Sequence, residues 1–279
     1  MGHRVIQWAT GGVGRAAIEG VLTHPDLELV GCWVHSEAKD GRDVGELAGH
    51  DPIGLAATTD VDALLASDAD CVLYSPIFAD PSVVTRILES GKNVVTPLGW
   101  FYPPDAERST FDAVCRSAGV TLHGTGIHPG GITERFPLML SALSGSITGV
   151  RAEEFSDIRT YGAPDVIRDW MLFGKTPEEA RTSIMADALG AGFRQSIHML
   201  ADELGFDLDP GLRTTHDMAV ATAPLDSPIG TIEPGKVAAQ RFRWEGLVDD
   251  GPVITAAVNW LMGDDHLDPD WSFGPEGER

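Results

Sequence analysis

The amino-acid sequence predicts an α/β fold in two domains, and three observations carry that prediction. Over the first 125 or so residues short β-rich runs alternate with helical ones, the pattern of βαβ units and a parallel sheet. The first of those strands runs straight into Gly11-Gly12-Val13-Gly14 and a helix. After Gly124-Thr125-Gly126-Ile127-His128-Pro129-Gly130-Gly131 the pattern changes to longer β-like runs around helices, as in an α+β domain with an antiparallel or mixed sheet. The expected division is a Rossmann-type domain over 1–127 and an α+β substrate and oligomerisation domain over 128–279.

In chain order, the first half reads as strands Arg4 to Ala9, Leu27 to Val34, a short one near Ala56 to Thr59, Asp70 to Tyr74, Asn93 to Thr96 and Val120 to His123. Helical patterns lie between them at Val13 to Thr23, Val61 to Ala66, Pro81 to Glu89 and Pro104 to Ala118. Pro81 and Pro104 suit first-turn positions, where a missing N–H costs nothing. In the second half a helix is expected over Ile132 to Leu143, then a β-like run Thr148 to Thr160. A helix from Pro177 to Leu189 continues past Gly190 and Gly192 towards Leu204. Candidate strands follow at Leu212 to Ala223, Lys236 to Glu245 and Pro252 to Met262. Trp271 to Pro275 reads as the lead-in to one more strand, so a further C-terminal segment is expected in the native protein. No internal repeat, low-complexity tract or heptad is present.

Composition narrows the functional class. At 279 residues and 43% hydrophobic, the chain can fill a core in each domain. No apolar run approaches the roughly 18 residues of a membrane helix, and no secretory signal opens the chain, so a cytoplasmic protein is expected. The formal charge of −22, from 42 acidic against 20 basic residues, repels phosphate backbones and anionic membranes, which argues against nucleic acid and membrane partners. Cys32, Cys71 and Cys115 are far apart without metal-ligand spacing and read as buried thiols; no metal site is expected.

A strand leading into Gly-x-x-Gly and a helix is what pyrophosphate binding demands, because the backbone must turn sharply and present free N–H groups at the positive end of the helix. Gly11 and Gly14 fill those places, with the small Ala17 in the third, and Thr10, Gly12, Val13 and Arg15 complete the turn. The cofactor type is decided after the second strand, where an acid would bind a ribose diol and a cation a 2′-phosphate. There the chain reads Val34-His35-Ser36-Glu37-Ala38-Lys39. His35, Ser36 and Lys39, with Arg15, are phosphate donors and favour NADP(H) over NAD(H). Glu37, were the strand two residues longer, would be the diol acceptor of an NAD site.

With the glycine turn, the Gly124 to Gly131 motif, the run Glu154-Phe155-Ser156-Asp157-Ile158-Arg159-Thr160-Tyr161-Gly162-Ala163-Pro164 and Gly230-Thr231-Ile232-Glu233-Pro234-Gly235-Lys236-Val237-Ala238, the chain resembles the dihydrodipicolinate reductase-like superfamily. Within it the likeness is nearest the branch of 2,4-diaminopentanoate dehydrogenase and the native amine dehydrogenases. The resemblance implies a two-domain NAD(P)-dependent oxidoreductase, homo-oligomeric as a dimer, whose C-terminal sheet closes over the nicotinamide. It places the nicotinamide half against Ser75-Pro76, Thr96-Pro97-Leu98 and Gly124-Thr125-Gly126, which also follows from the topology of open α/β sheets.

The departures from that family speak to substrate. Dihydrodipicolinate reductases carry Glu-x-His-His-x-x-Lys, then a carboxylate cradle. This chain has Glu154, then Ser156 and Asp157 for the histidines, Thr160 for the lysine, and Asp165 where a carboxylate substrate would be repelled. Dihydrodipicolinate is therefore not the expected substrate. The amine dehydrogenases place a Glu after the fifth strand, whereas the corresponding stretch here, Thr96 to Pro104, holds no carboxylate. It holds Trp100-Phe101-Tyr102, which could wall an apolar substrate pocket, with Trp170, Met171 and Phe173 as contributors from the second domain or as ordinary core. Tyr102 and His128 are the candidate proton donors, with Glu154, Asp157 and Tyr161 as alternatives. The expected function is NADPH-dependent reduction or dehydrogenation at a C=O or C=N bond of a small, fairly apolar molecule. The rival is an NADP-binding redox sensor without catalysis.

Overall fold

An apolar strand in the middle of a parallel sheet must be covered on both faces, and Val5, Ile6, Gln7 and Trp8 are all buried in β1 (His3–Trp8). The computed structural model describes residues 2–271 and divides into two compact units after Ile127. In the first unit the chain continues through α1 (Gly12–Thr23), β2 (Leu27–Trp33), α2 (Val44–Ala48), α3 (Val61–Leu65), β3 (Cys71–Tyr74), α4 (Pro81–Glu89), β4 (Asn93–Thr96), α5 (Asp105–Ala118) and β5 (Leu122–Gly124). The strands pair in the order β2-β1-β3-β4-β5, every neighbour parallel. One core gathers Ile6, Val72 and Val94 with Val84, Ile87 and Leu88 of α4; a smaller one joins Ile18 of α1 to Cys32 and Val34.

Two expectations fail locally. The segment Ala56 to Thr59 is not a strand but makes only two isolated bridges, Asp43 to Ala56 and Trp33 to Thr58. Thr58 bonds to β2 on both sides, its N–H to the Cys32 carbonyl and its carbonyl to the Val34 N–H, but the pairing stops there because the Asp40 carboxylate takes the Thr59 N–H at 2.7 Å and Asp60 caps α3. Pro104 is the residue before α5 rather than part of its first turn, whereas Pro81 does open α4, behind Asp80, whose side chain accepts from the Ser82 and Val83 N–H groups.

The second unit contains α6 (Arg135–Ser141), β6 (Val150–Asp157), α7 (Pro164–Asp169), α8 (Pro177–Ala180), α9 (Met185–Leu204), β7 (Arg213–Ala221), β8 (Leu225–Ser227), β9 (Gly230–Ile232), β10 (Val237–Val248), β11 (Gly251–Leu261) and β12 (Leu267–Asp268). Its sheet runs β12-β7-β10-β11-β6, antiparallel except for β11 against β6, and is therefore mixed. The long helix α9 lies on this sheet, with Phe193 stacked on Trp244 at 4.5 Å between centroids. Gly190 permits that approach, since a Cβ there would come within 2.8 Å of Trp244 Nε1. The single helix expected from Pro177 is broken between Ala180 and Met185. Ser183 there donates to the Trp170 carbonyl and accepts the Met185 N–H, which reseats the chain before α9. The strand expected from Trp271 to Pro275 lies outside the described residues, Trp271 apart. Among the described residues no helix is long and apolar enough to cross a membrane.

Candidate functional site

The first turn after β1 is shaped for close approach. Ala9 takes a left-handed conformation at φ 78°, and a Cβ on Gly14 would lie 2.2 Å from the Ala9 carbonyl oxygen, so only glycine fits there. Gly11 and Gly12 show the opposite property, since a Cβ on either would meet nothing within 4 Å. That leaves open space against the backbone. The Asp43, Asp60 and Asp80 side chains cap α2, α3 and α4, whereas α1 has no side-chain cap and no acid in its first turn. Its first-turn N–H groups face that space, beside the exposed Val13 and Arg15. A glycine turn held tight below and open above, at an uncapped helix start, fits a pyrophosphate.

The segment after β2 is tied to this turn. Lys39 Nζ donates to Thr10 Oγ1 at 2.9 Å, and His35 and Ser36 are exposed just beyond the strand end at Trp33. Trp33 stacks on Trp8 at 4.9 Å and tilts against the His35 ring at 6.0 Å, which seats the end of β2. Glu37 begins a short 3-10 turn four residues beyond the strand, and Lys39 comes back to Thr10 from its last position. Burial pushes the Cys32 thiol up to about 12 and that of Cys71 to about 11, so both stay protonated.

The other expected cofactor turns gather at the same carboxyl edge of the sheet. Ser75 Oγ accepts from the buried Gln7 amide at 2.8 Å, and the Thr125 N–H donates to the Thr96 carbonyl at 2.8 Å. Gly124 is pressed on the loop after β4, where its Cβ would lie 2.3 Å from Phe101 N and 2.4 Å from the Gly99 carbonyl oxygen. Pro76, Pro97 and Gly126 flank these contacts. Phe101 and Tyr102 are half-buried on that loop.

Trp100 corrects the substrate-pocket expectation. Its ring is only 8% exposed, packs edge-on against Phe111 at 5.4 Å and donates from Nε1 to Glu107 at 2.6 Å. It belongs to the core of the first unit. A cavity of about 530 Å³ borders it on the flank of α5 and β5, lined also by Phe111, Cys115 and Leu122, and none of the expected cofactor residues lines it.

In the second unit His128 is half-buried and both ring nitrogens are engaged: Nε2 lies 3.1 Å from the Ala257 carbonyl and Nδ1 2.7 Å from Thr133 Oγ1. The carbonyl can only accept, so Nε2 carries the proton and Thr133 donates to Nδ1. Burial holds the imidazole pKa below its ordinary value, and Phe193 packs against the ring at 4.7 Å. This corrects the expectation of a proton donor, because the neutral ring spends both nitrogens on fixing its own loop. Beside it, the fully buried Glu134 accepts from Ser196 Oγ at 2.7 Å and from the Gly130 N–H at 3.3 Å. Sequence reasoning missed Thr133, Glu134 and Ser196, and also Gln7.

The remaining candidates divide by environment. Met171 and Phe173 lie in the second core, while Trp170 is half-buried and accepts from Ser183 at 2.8 Å. Asp157 is held well below the usual carboxylate range by its hydrogen bonds from Arg159, which makes it a structural partner. Glu154 accepts from Ser156 at 2.7 Å and from Trp260 Nε1 at 3.3 Å. Tyr161 is exposed.

Comparison with known proteins adds a common lineage. Residues 5–96 match the N-terminal family of dihydrodipicolinate reductase, and residues 132–258 match the 2,4-diaminopentanoate dehydrogenase C-terminal domain. An amine dehydrogenase from Streptomyces virginiae is 32% identical over 98% of this chain and 78% of the relative. A 2,4-diaminopentanoate dehydrogenase from Acetoanaerobium sticklandii is 25% identical over 59% of this chain and 46% of its own length. The solved amine dehydrogenase from Mycobacterium smegmatis shares the fold, with a TM-score of 0.74 and 22% identity over 94% of this chain and 80% of that one.

Proposed function

The chain belongs to the amine dehydrogenase family of NAD(P)-dependent oxidoreductases, and on that premise we propose that it uses NADP(H) at a C=O or C=N bond of a small, fairly apolar substrate. The observation that carries the cofactor choice is the Lys39 ammonium seated on Thr10 at the rim of the glycine turn. A cation there, with His35, Ser36 and Arg15 exposed around it, suits a 2′-phosphate. The strand ends at Trp33, four residues before Glu37, which supports the same reading.

The dinucleotide supplies the hydride when bound; the chain holds it and manages the proton. Gly11, Gly12, Val13 and the first turn of α1 hold the pyrophosphate. Ser75, Pro76, Thr96, Pro97, Gly124, Thr125 and Gly126 hold the nicotinamide half at the carboxyl edge of the sheet. The Tyr102 phenol supplies the proton to the developing oxyanion or amine nitrogen, since it stands on the loop that Gly124 contacts. Phe101, half-buried on the same loop, supplies apolar surface for the substrate. An amine or its imine is the first substrate class, in keeping with the Streptomyces relative's name, with Tyr102 handling the proton where the resemblance would put a glutamate. Dihydrodipicolinate is not, because Ser156, Asp157 and Thr160 stand where that resemblance puts two histidines and a lysine, and the nearby Arg159 is engaged by Asp157. A homodimer in the cytoplasm completes the proposal.

The test follows absorbance of NADPH with a panel of ketones, aldehydes and preformed imines, with and without ammonium. Turnover that falls about 100-fold in Tyr102→Phe is expected, the scale of a lost general acid. NADPH binding with no turnover across the panel would instead support the redox sensor.

A further inference from the structure

Gln7 lies in the most apolar strand of the first unit, is fully buried, and uses its side-chain amide in a way that core packing does not need. Its Nε2 donates to the Ala9 carbonyl at 2.9 Å, the Trp8 carbonyl at 3.0 Å and Ser75 Oγ at 2.8 Å, three acceptors for two hydrogens. Its Oε1 is buried with no hydrogen-bond partner among the described residues. An apolar side chain would avoid leaving that oxygen unmet.

We infer that Gln7 is a positioning residue for the dinucleotide, aiming two donors at its phosphates: the Thr10 N–H and the Ser75 hydroxyl. The inference rests on the dinucleotide-binding reading above. The Ala9 carbonyl is trapped between the Gln7 amide and the surface of Gly14, whose Cβ would strike it, and Ala9 takes its left-handed φ to reach that position. In a trans peptide the C=O and the following N–H point in opposite directions. Drawing the Ala9 carbonyl inward therefore turns the Thr10 N–H outward, away from Gln7 and Gly14. At Ser75 the logic is polarity. The hydroxyl oxygen accepts from Gln7 at 2.8 Å, and its own proton has only the Trp8 carbonyl at 3.4 Å as an internal alternative. That proton is available to an anion. One buried amide so sets the donor sense of two turns, the second of them 68 residues from Gln7 in sequence.

The experiment compares wild type with Gln7→Met, Gln7→Glu and Ser75→Ala, by calorimetric titration with NADPH and with 2′-AMP, alongside melting curves. The fragment 2′-AMP carries the 2′-phosphate but no pyrophosphate, so it reports the Lys39 end alone. For folded Gln7 variants NADPH affinity is expected to fall at least tenfold while 2′-AMP affinity stays within twofold. NADPH affinity within twofold of wild type, or equal losses for both ligands, overturns the inference. Should both Gln7 variants fail to fold, Ser75→Ala decides: at least a fivefold loss for NADPH with 2′-AMP unchanged supports it, and unchanged NADPH affinity overturns it. Wild-type protein that binds no NADPH would defeat the dinucleotide reading itself, a result distinct from any of these.

Discussion

The Lys39 ammonium donates to the Thr10 hydroxyl across 2.9 Å, joining the segment after the second strand to the glycine turn. A charge-assisted contact with a phosphate is worth about 1.5–3 kcal/mol, or roughly a tenfold to hundredfold change in affinity. Lys39→Ala should therefore weaken NADPH by about that factor and NADH by much less, in parallel titrations. Equal losses for the two would refute the 2′-phosphate site.

The glycines of the turn separate fold from binding. Gly14→Ala puts a methyl 2.2 Å from the Ala9 carbonyl and should cost about 1–3 kcal/mol of stability, read as a lower midpoint in urea. Gly12→Ala meets nothing within 4 Å and lies in α1, where alanine is favoured, so stability should hold or rise slightly. The same methyl enters the space assigned to the pyrophosphate, and NADPH affinity should drop at least tenfold. A Gly12→Ala protein that binds NADPH normally would place the phosphates elsewhere.

Acid should unfold the second unit through its histidines. Burial depresses the pKa of both His128 and His216, so below about pH 6.5 the unfolded chain takes up protons that the folded one refuses. Stability is thus fully present above that pH and is lost as pH falls towards the depressed folded values. Melting temperature should fall between pH 7.5 and 5.5, and His128→Asn should shrink that fall while His216 maintains the rest. An identical pH profile in the variant would contradict the burial argument. Asp157, with its folded pKa depressed by Arg159, contributes its loss only in the lower, carboxylate range.

Trp100 should behave as core. With Phe111 and Glu107 as its partners, Trp100→Ala is expected to cost about 3–5 kcal/mol. Trp100→Phe keeps most of the packing and should leave substrate preference unchanged, as measured by relative kcat/KM over the substrate panel. A changed preference would return Trp100 to the substrate pocket.

These residues also show what was legible in the sequence. Gly14 and the alternation around it announced the parallel sheet because a backbone needing no Cβ and a strand buried on both faces leave plain marks. The nearness of Lys39 to the glycine turn was legible from its distance along the chain from the second strand, whereas its role towards a 2′-phosphate is the proposal. Trp100 misled, since an aromatic between prolines in a loop at the carboxyl edge of the sheet reads as the wall of a substrate pocket, and Glu107, which anchors its indole, lies in the next helix. His128 was found but its role was not, because the Ala257 carbonyl that occupies Nε2 comes from a strand 129 residues away. Glu134 read as an ordinary acid ahead of a helix, although Ser196 of α9 encloses it. Gln7 left one signal: a lone amide inside an apolar strand must be bonded to something.

The most direct measurement is calorimetric titration of the wild-type protein with NADPH and with NADH under the same salt and pH. The account predicts that both bind at one site per chain and that NADPH binds at least tenfold tighter. Equal or tighter binding of NADH, or no heat from either, would contradict it.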